Sequence, residues 1–302
     1  MNKKYRDNFL KAGQLAGEVR AYGKSLIKKG SSYNEVISKI NQKIIELGAY
    51  PAFPPQIALN DVAAHFLAWP GKDIVFDDQV VKLDVGVCYE GAIGDCAVTI
   101  DLSGKFTGLV DAVEAALLAA ENCLEVGFPI RNIGKIIAET ISTHSFKPVK
   151  NLCGHGLGYH KVHTSPSIPN YDDGEKGTIK PGMSFAIEPF ATNGKGLIYE
   201  QGKPAIFSQT MPRFRGSSNA KSLLSMIKTF KGLPFAIHDL LGGELNLAEV
   251  ESGLKELEKS GVITGYPPLV EVLHGMVAQA ENSVLVDNDG KVVITTRLSE
   301  TH

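Results

Sequence analysis

The sequence predicts an α+β protein in which antiparallel strands are covered on one side by pairs of helices. Three observations lead to this prediction: a repeated helix pair, hairpin-like strands between and after the repeats, and a Lys- and Glu-rich segment near the end. Strands and helix pairs in this arrangement favour an antiparallel sheet with helices packed on one face. A chain of 302 residues suffices for one large domain, 1–302, that carries one insertion.

The segments 25–51 and 122–148 align without gaps at an offset of 97 residues. In each copy a helix ends at a glycine, Gly30 or Gly127, and a second helix with apolar residues at i, i+4 and i+8 stops before a proline. Two unrelated amphipathic helix pairs can also align, but the shared glycine and proline favour a true repeat. Two similar halves would meet at a pseudo-twofold axis, and a site at their junction would take residues from both.

Five stretches predict strands because they are rich in β-branched and aromatic residues. They read VVKLDVGVCY, AIGDCAVTIDL, MSFAIEPFA, MVAQAENSVLV and KVVITT. Residues 213–270 differ from this pattern and predict a small inserted helical subdomain. One of its helices presents an apolar stripe formed by Leu247, Val250, Leu254 and Leu257.

The overall composition excludes several classes of protein. A net charge of −2 gives no electrostatic reason to expect nucleic acid or an anionic membrane as the main partner. No run approaches the roughly 18 apolar residues of a membrane helix, and the basic N-terminus lacks the apolar core of a secretion signal. The four cysteines form no Cys-x-x-Cys pair, so reduced thiols in apolar surroundings are expected. A cytoplasmic location follows from these features.

Two aspartates in LDVGVCYEGAIGDCAV carry the strongest chemical signal. If the hairpin turns at Tyr89 and Glu90, Asp84 lies directly opposite Asp95 on one face. Opposed carboxylates destabilise a sheet unless a cation compensates them. A single aspartate would more often be a surface residue, but this pair is flanked by apolar strand residues. Two further acids, Glu188 and Glu281, also lie in predicted strands whose other residues are mostly apolar and are expected in the core.

The stretch GHGLGYHKVHTSP at 154–166 combines glycines with histidines. A dinucleotide loop would need a helix after the last glycine, and Pro166 prevents a long one. The Walker, HExxH and GxSxG motifs are also absent from the sequence. The alternative is that the glycines let the backbone approach a metal that His155 binds. His163 would then face the substrate, and His160 would be a neutral surface residue.

Together the candidates form a set of four carboxylates and one imidazole: Asp84, Asp95, His155, Glu188 and Glu281. Oxygen-rich sets suit harder divalent ions with more than four ligands, such as Mn²⁺, Fe²⁺ or Co²⁺. Four carboxylates carry more negative charge than one divalent ion balances, so two ions with shared carboxylates are predicted. Such a pair can activate water and polarise a carbonyl, which is metal-assisted hydrolysis.

These stretches resemble the methionine aminopeptidases, whose pita-bread fold is shared with aminopeptidase P, prolidase and creatinase. The matching segments are PAFPPQIALNDVAAHF, LDVGV with the following GD, LCGHGLGYHKVH, PGMSFAIEPFAT and VAQAENS. Two features favour the type 2 branch of archaea and eukaryotes. His155 and His163 are eight positions apart, whereas relatives have seven, and the 213–270 insert resembles a winged-helix subdomain. The chain departs from the family's usual QFEH in having QAEN, with Ala280 and Asn282.

The resemblance implies a role for each candidate residue. Asp84 would chelate one ion, His155 and Glu188 the other, and Asp95 and Glu281 would bridge them. Glu188 would also act as general base and proton shuttle. Further roles are implied for two pairs: His65 and His163 would contact the scissile peptide, and Phe53 and Val162 would help form the methionine pocket.

The implied activity is removal of the initiator methionine from nascent proteins that have a small second residue, with two divalent ions (Co, Mn, Fe(II), Ni or Zn). The protein is expected to act as a monomer on N-terminal Met peptides, with no membrane contact and with the ribosome as a candidate partner. One alternative is a Pro-specific aminopeptidase or dipeptidase of the same fold. Another is a non-catalytic ribosome- or RNA-binding homologue that uses the insert, supported only by Lys221, Lys228 and Lys231.

Overall fold

Six α-helices, two short 3-10 helices and seventeen strands are found in residues 1–243 and 245–298, which a computed structural model of the chain describes. The helices are α1 (Lys3–Leu26), α2 (Tyr33–Glu46), α3 (Thr107–Asn122), α4 (Ile130–Thr143), α5 (Ser218–Ile227) and α6 (Leu247–Lys259). The strands of the first half are β1 (Tyr50–Leu59), β2 (Val62–Ala64), β3 (Val80–Tyr89), β4 (Ala92–Asp101), β5 (Lys147–Pro148), β6 (Cys153–Gly158) and β7 (Lys161–Pro169). The later strands are β8 (Ser184–Ile187), β9 (Phe190–Thr192), β10 (Ile198–Glu200), β11 (Ile206–Gln209), β12 (Phe235–Ala236), β13 (Ile263–Tyr266), β14 (Leu269–Glu271), β15 (Val277–Gln279), β16 (Asn282–Val286) and β17 (Val292–Ile294). The predicted α+β class is confirmed.

The repeat predicted from the sequence is confirmed in the helices. The helices α2 and α4 begin at residues 33 and 130 and end at residues 46 and 143, so both bounds differ by the predicted offset. Gly30 and Gly127 precede them with φ of 85° and 90°. Glycine takes this left-handed conformation at little cost, which allows the sharp turn between the paired helices. Each half therefore builds the same helix–turn–helix unit.

Two apolar clusters bind the helix pairs to the strands. In the first, Ile40 of α2 packs with Leu83 and Val85 of β3. In the second, Ile137 of α4 packs with Phe185 of β8. All five side chains are fully buried, and burying each contributes roughly 1.5–3 kcal/mol. Since these residues fill one face of the strands, the opposite face remains for polar groups.

The β3–β4 hairpin differs from its prediction by one position. The turn falls at Glu90 and Gly91, with φ of 50° and 85°, because a two-residue hairpin turn needs left-handed residues and favours glycine. The observed pairs are Tyr89 with Ala92, Asp84 with Ala97, and Gly86 with Asp95. The prediction that Asp84 lies directly opposite Asp95 is therefore wrong. The shift in pairing is two residues, so both side chains keep the same face and lie diagonally across the hairpin.

Two predicted strands are each broken at their acidic residue. The first stops at β8 and resumes at β9, leaving Glu188 and Pro189 between them, since proline cannot donate to a ladder. The second stops at β15 and resumes at β16, and Glu281 in the gap forms an isolated bridge with Ala97. Both carboxylates thus leave their strands beside the aspartates of the β3–β4 hairpin.

The insert contains strands as well as helices. A three-stranded sheet in the order β12-β11-β13 packs with α5 and α6 around its own apolar cluster. Its first strand, β11, begins before the predicted boundary at 213. Three residues of the predicted stripe, Val250, Leu254 and Leu257, are buried in this cluster. The winged-helix-like character of the segment stays a prediction.

The cysteines are unpaired, as predicted, but their surroundings differ. Cys88 and Cys96 are buried, Cys123 is half-buried and Cys153 is exposed. The expectation of apolar surroundings is wrong for Cys153, because it begins β6 at the edge of a cavity. None of the helices in 1–243 and 245–298 combines the length and the apolar character that crossing a bilayer requires.

Glu271 anchors two loops and provides a test of the fold. Its buried carboxylate accepts hydrogen bonds from the backbone N–H groups of Lys195, Gly196, Leu273 and Gly275. Burial alone would raise its pKa, but these four donors together hold the pKa of Glu271 below its usual value. Folding therefore favours the charged form of Glu271. Its contribution to the free energy of unfolding is lost as the pH falls below about 4.5, the ordinary pKa of a glutamate.

Glu271→Gln is expected to lower the free energy of unfolding at pH 7 by about 3 kcal/mol, because the NH2 that replaces one carboxylate oxygen faces two backbone N–H donors and cannot accept from them. Urea denaturation at pH 7 and pH 3.5 measures the loss, which should shrink at the lower pH. Glu139→Gln, an exposed change on α4, is the control. An equal loss at both pH values would contradict the role of the charge.

Candidate active site

All nine residues predicted for the site line one cavity of about 350 Å³. They are Phe53, His65, Asp84, Asp95, His155, Val162, His163, Glu188 and Glu281. A larger groove of about 730 Å³ lies between α2 and the insert, but it contains none of these residues. The titratable groups therefore place the candidate site in the smaller cavity, whose volume lies within the usual range for small-molecule sites.

The glycines around His155 serve strand packing. His155 lies in β6, which pairs with β7 on one side and β8 on the other. A Cβ atom on Gly154 would lie within 3.0 Å of the Ala186 carbonyl, and one on Gly156 within 3.0 Å of the Ser165 carbonyl. Only glycine allows backbones to approach this closely. Strand β7 follows these glycines, so the helix that a dinucleotide loop requires at this point is replaced by a strand.

The candidate ligand atoms converge at short range. One side-chain atom each from Asp95, His155 and Glu281 lies within 4.8 Å of the others. His155 Nε2 is 3.8 Å from Asp95 Oδ2 and 3.5 Å from Glu188 Oε1. These separations are long for direct hydrogen bonds, but they suit ligands around an ion held by bonds of about 2.0–2.3 Å. The arrangement fits a metal centre.

The electrostatics of the cavity also call for a cation. Burial raises the pKa of Asp84 to about 7, while a hydrogen bond from Gln279 lowers it. Burial and neighbouring carboxylates raise the pKa values of Asp95, Glu188 and Glu281 well above the ordinary range. In the described part of the chain, no Lys or Arg forms an ion pair with any of the four.

A buried oxygen without a partner supports the same conclusion. Asp84 Oδ1 has no hydrogen-bond partner within the described residues although it is buried. A buried acceptor in this state costs about 1–3 kcal/mol unless something binds it. Burial lowers the pKa of His155 to about 3, so its imidazole is neutral at pH 7 and offers a lone pair. The donor set therefore fits a divalent cation.

Two further histidines flank the candidate ligands. The His163 ring meets the His155 ring edge-on, with centroids 4.3 Å apart. His65 takes a left-handed φ of 60°, donates its backbone N–H to Gln56 Oε1 at 2.7 Å, and contacts the Tyr266 ring at 5.4 Å. Burial and the neighbouring His163 lower the pKa of His65 to about 4, and burial lowers that of His163. Neutral imidazoles each keep one N–H to donate.

His160 lies outside the cavity lining and stacks on Tyr50, with ring centroids 6.3 Å apart. This position agrees with its interpretation as a bystander. Phe53 and Val162 are both buried at the cavity wall. A Cβ atom on Gly86 would lie within 3.0 Å of the Phe53 ring, so the glycine makes room for that ring. Their role in a methionine pocket stays a prediction.

Sequence reasoning missed three polar residues around the site. Gln56 pairs with Asp84 across β1 and β3 and also holds His65. Gln279 Nε2 lies 3.4 Å from Glu281 Oε2, and Gln279 also lowers the pKa of Asp84. Tyr266 comes from the insert. Only Gln279 had a visible signal in the sequence, because it lies two positions before Glu281 in the predicted strand MVAQAENSVLV, where alternate residues share a face.

Residues 7–287 match the profile of metallopeptidase family M24. The chain belongs to this family. It is 37% identical to a methionine aminopeptidase of Pyrococcus horikoshii over 292 residues, covering 96% of this chain and 99% of the relative. It is 38% identical to one of Archaeoglobus fulgidus over 299 residues, covering 98% of this chain and 100% of the relative.

Solved structures support the fold. The crystal structure of methionine aminopeptidase from Thermotoga maritima superposes with a TM-score of 0.72 at 20% identity, covering 99% of this chain and 98% of that one. At this identity the likeness concerns the fold alone. The pita-bread fold expected from the sequence is thereby confirmed.

Proposed function

We propose that this protein removes the N-terminal methionine from newly made proteins by metal-assisted peptide hydrolysis. One observation carries the proposal: four carboxylates and a neutral imidazole converge on a cavity where no Lys or Arg of the described residues pairs with them. Full-length relatives that are methionine aminopeptidases support the choice of substrate. Their archaeal origin and the eight-residue spacing of His155 and His163 support assignment to the type 2 branch.

Two divalent ions, of Co, Mn, Fe(II), Ni or Zn, would balance the four carboxylates, which one ion would not. Asp84 would hold one, His155 and Glu188 the other, and Asp95 and Glu281 would hold both. When bound, such ions supply a Lewis acid and lower the pKa of a water molecule. The unpartnered Asp84 Oδ1 supports this assignment.

The remaining chemistry belongs to side chains of this protein. The Glu188 carboxylate would accept the proton of the attacking water and deliver it to the leaving amine. His163 and His65, as neutral N–H donors, would stabilise the oxygen of the tetrahedral intermediate and orient the peptide. Phe53 and Val162 would contact the methionine side chain. The acids that close this end of the cavity would restrict cleavage to a free amino terminus.

We further propose that the protein acts as a monomer in the cytoplasm, where nascent chains are made, and that the insert contacts the ribosome. Lys221 of α5 and Lys228, which directly follows this helix, line a depression of about 450 Å³ with Arg213 and Arg215, and such a cluster attracts phosphates. Lys231 instead lies over the Tyr50 ring at 5.7 Å, apart from this surface.

Release of methionine from Met-Ala-Ser by metal-stripped protein tests the proposed function. Adding Mn²⁺, Fe²⁺ or Co²⁺ should restore release, while Ala-Pro and other Xaa-Pro peptides should remain uncleaved. Faster cleavage of Xaa-Pro peptides would favour the Pro-specific alternative. Absence of release with every ion, from protein whose circular dichroism shows it to be folded, would favour the non-catalytic alternative.

A further inference from the structure

A polar network lies directly behind Glu281, outside the cavity lining. Arg20 of α1 donates from Nη1 to the Glu281 carbonyl oxygen at 2.7 Å and to Asn282 Oδ1 at 2.8 Å. Its Nη2 donates to the Thr296 carbonyl at 3.1 Å. Within the described residues Arg20 forms no ion pair with a carboxylate. Its guanidinium group is therefore committed to the backbone that carries Glu281.

Asn282 is the centre of this network. Its Oδ1 accepts from Arg20 and also from Thr296 Oγ1 at 2.7 Å, and its Nδ2 donates to Glu121 Oε1 at 2.6 Å. Glu121 in turn pairs with Arg297. An amide oxygen accepts two hydrogen bonds at once, whereas a ring nitrogen of histidine accepts one. The asparagine that replaces the family's usual histidine is therefore matched to its neighbours in this chain.

The next residue connects the same network to Asp95. Ser283 Oγ accepts from the Asp95 backbone N–H at 2.8 Å and donates to the Asp95 carbonyl at 2.8 Å. The Ser283 N–H donates to Thr296 Oγ1 at 3.1 Å. Three consecutive residues, from Glu281 to Ser283, thus join both carboxylates proposed to be shared by the two ions to one set of polar partners.

We propose that Arg20 is a positioning residue of the metal centre. It fixes the peptide between Glu281 and Asn282, which sets the place of the Glu281 carboxylate and, through Ser283, the place of Asp95. The carboxylates in the cavity repel one another, so their backbones must be held before any ion binds. The brace, defined as Arg20, Glu121, Asn282, Thr296 and Arg297, does this from the side opposite the cavity. The inference rests on the proposed metal centre.

Calorimetric titration of metal-stripped protein with Mn²⁺ tests the brace. Arg20→Met should weaken Mn²⁺ binding by about 10- to 100-fold, the usual effect of removing a partner that orients a ligand. Arg20→Lys keeps the charge but not the forked donors, so an intermediate loss is expected. Arg131→Met, an exposed change on α4, is the matched control and should leave binding unchanged. The visible spectrum of the Co²⁺-loaded protein should shift in the Arg20 variants, because it reports ligand geometry.

A milder variant keeps the test decisive if Arg20→Met fails to fold. Thr296→Val removes the hydroxyl that bonds Asn282 and Ser283 at nearly constant volume, and should weaken Mn²⁺ binding by about tenfold. Unchanged Mn²⁺ affinity and an unchanged Co²⁺ spectrum in the folded variants would overturn the inference, leaving the network a purely structural role. Wild-type protein that binds no Mn²⁺ would instead contradict the metal centre itself, and the role of the brace with it.

Discussion

Asp95→Asn is expected to lower kcat/KM for methionine release from Met-Ala-Ser by about 10³-fold. Asp95 Oδ2 lies 3.8 Å from His155 Nε2, at the centre of the converging ligand atoms. The amide keeps the volume of the carboxylate but removes the negative charge that would hold both ions. A Lewis acid contributes several kcal/mol to such a reaction, and each 1.4 kcal/mol corresponds to a factor of ten.

The stability of the same variant provides its control. In metal-free protein the change removes one member of a group of mutually repelling, largely buried carboxylates. The melting temperature of metal-free Asp95→Asn should therefore equal or exceed that of the wild type, while activity is lost. Thermal unfolding followed by circular dichroism measures the melting temperature with and without Mn²⁺, and release of methionine from Met-Ala-Ser measures the activity. A stable variant that retains full activity would contradict the role of Asp95, and a large loss of stability would leave misfolding as the cause of inactivity.

Local patterns in the sequence predicted much of the fold. The two helix pairs are visible because apolar spacing, helix ends and turn glycines are all local properties. The β3–β4 hairpin is visible because its strands alternate, and Asp84 and Asp95 keep one face even though the turn lies one residue later than predicted. Side chains of a strand alternate between its two faces. A shift in pairing by two residues therefore leaves both carboxylates on the same face of the hairpin.

Other features depend on contacts that no local pattern contains. The strand breaks at Glu188 and Glu281 lie where the chain passes from one sheet to another. The positions of these sheets depend on how the two halves of the protein pack together. Arg20 reaches Glu281 across 261 positions of sequence, and Glu121 reaches Asn282 across 161. In the sequence, Asn282 is a departure from the histidine usual in the family. In the structure it lies at the centre of a network in which its oxygen and its NH2 group both form hydrogen bonds. Its partners could be identified only from the folded chain.

Glu188→Gln is expected to lower kcat for Met-Ala-Ser by about 10²–10⁴-fold at saturating Mn²⁺, the range for losing a general base. Glu188 lies in the break between β8 and β9, with Oε1 3.5 Å from His155 Nε2, so the change also removes a proposed ligand. Glu188→Asp keeps the charge but withdraws the carboxylate by one methylene, so it tests placement apart from charge. A displacement of about 1 Å can cost 10²-fold in rate, so kcat should still fall when Mn²⁺ is raised until it saturates the variant. Steady-state kinetics and Mn²⁺ titration of both variants, beside Glu139→Gln, measure these effects. A rise in KM at constant kcat would assign Glu188 to substrate binding and contradict its role in proton transfer.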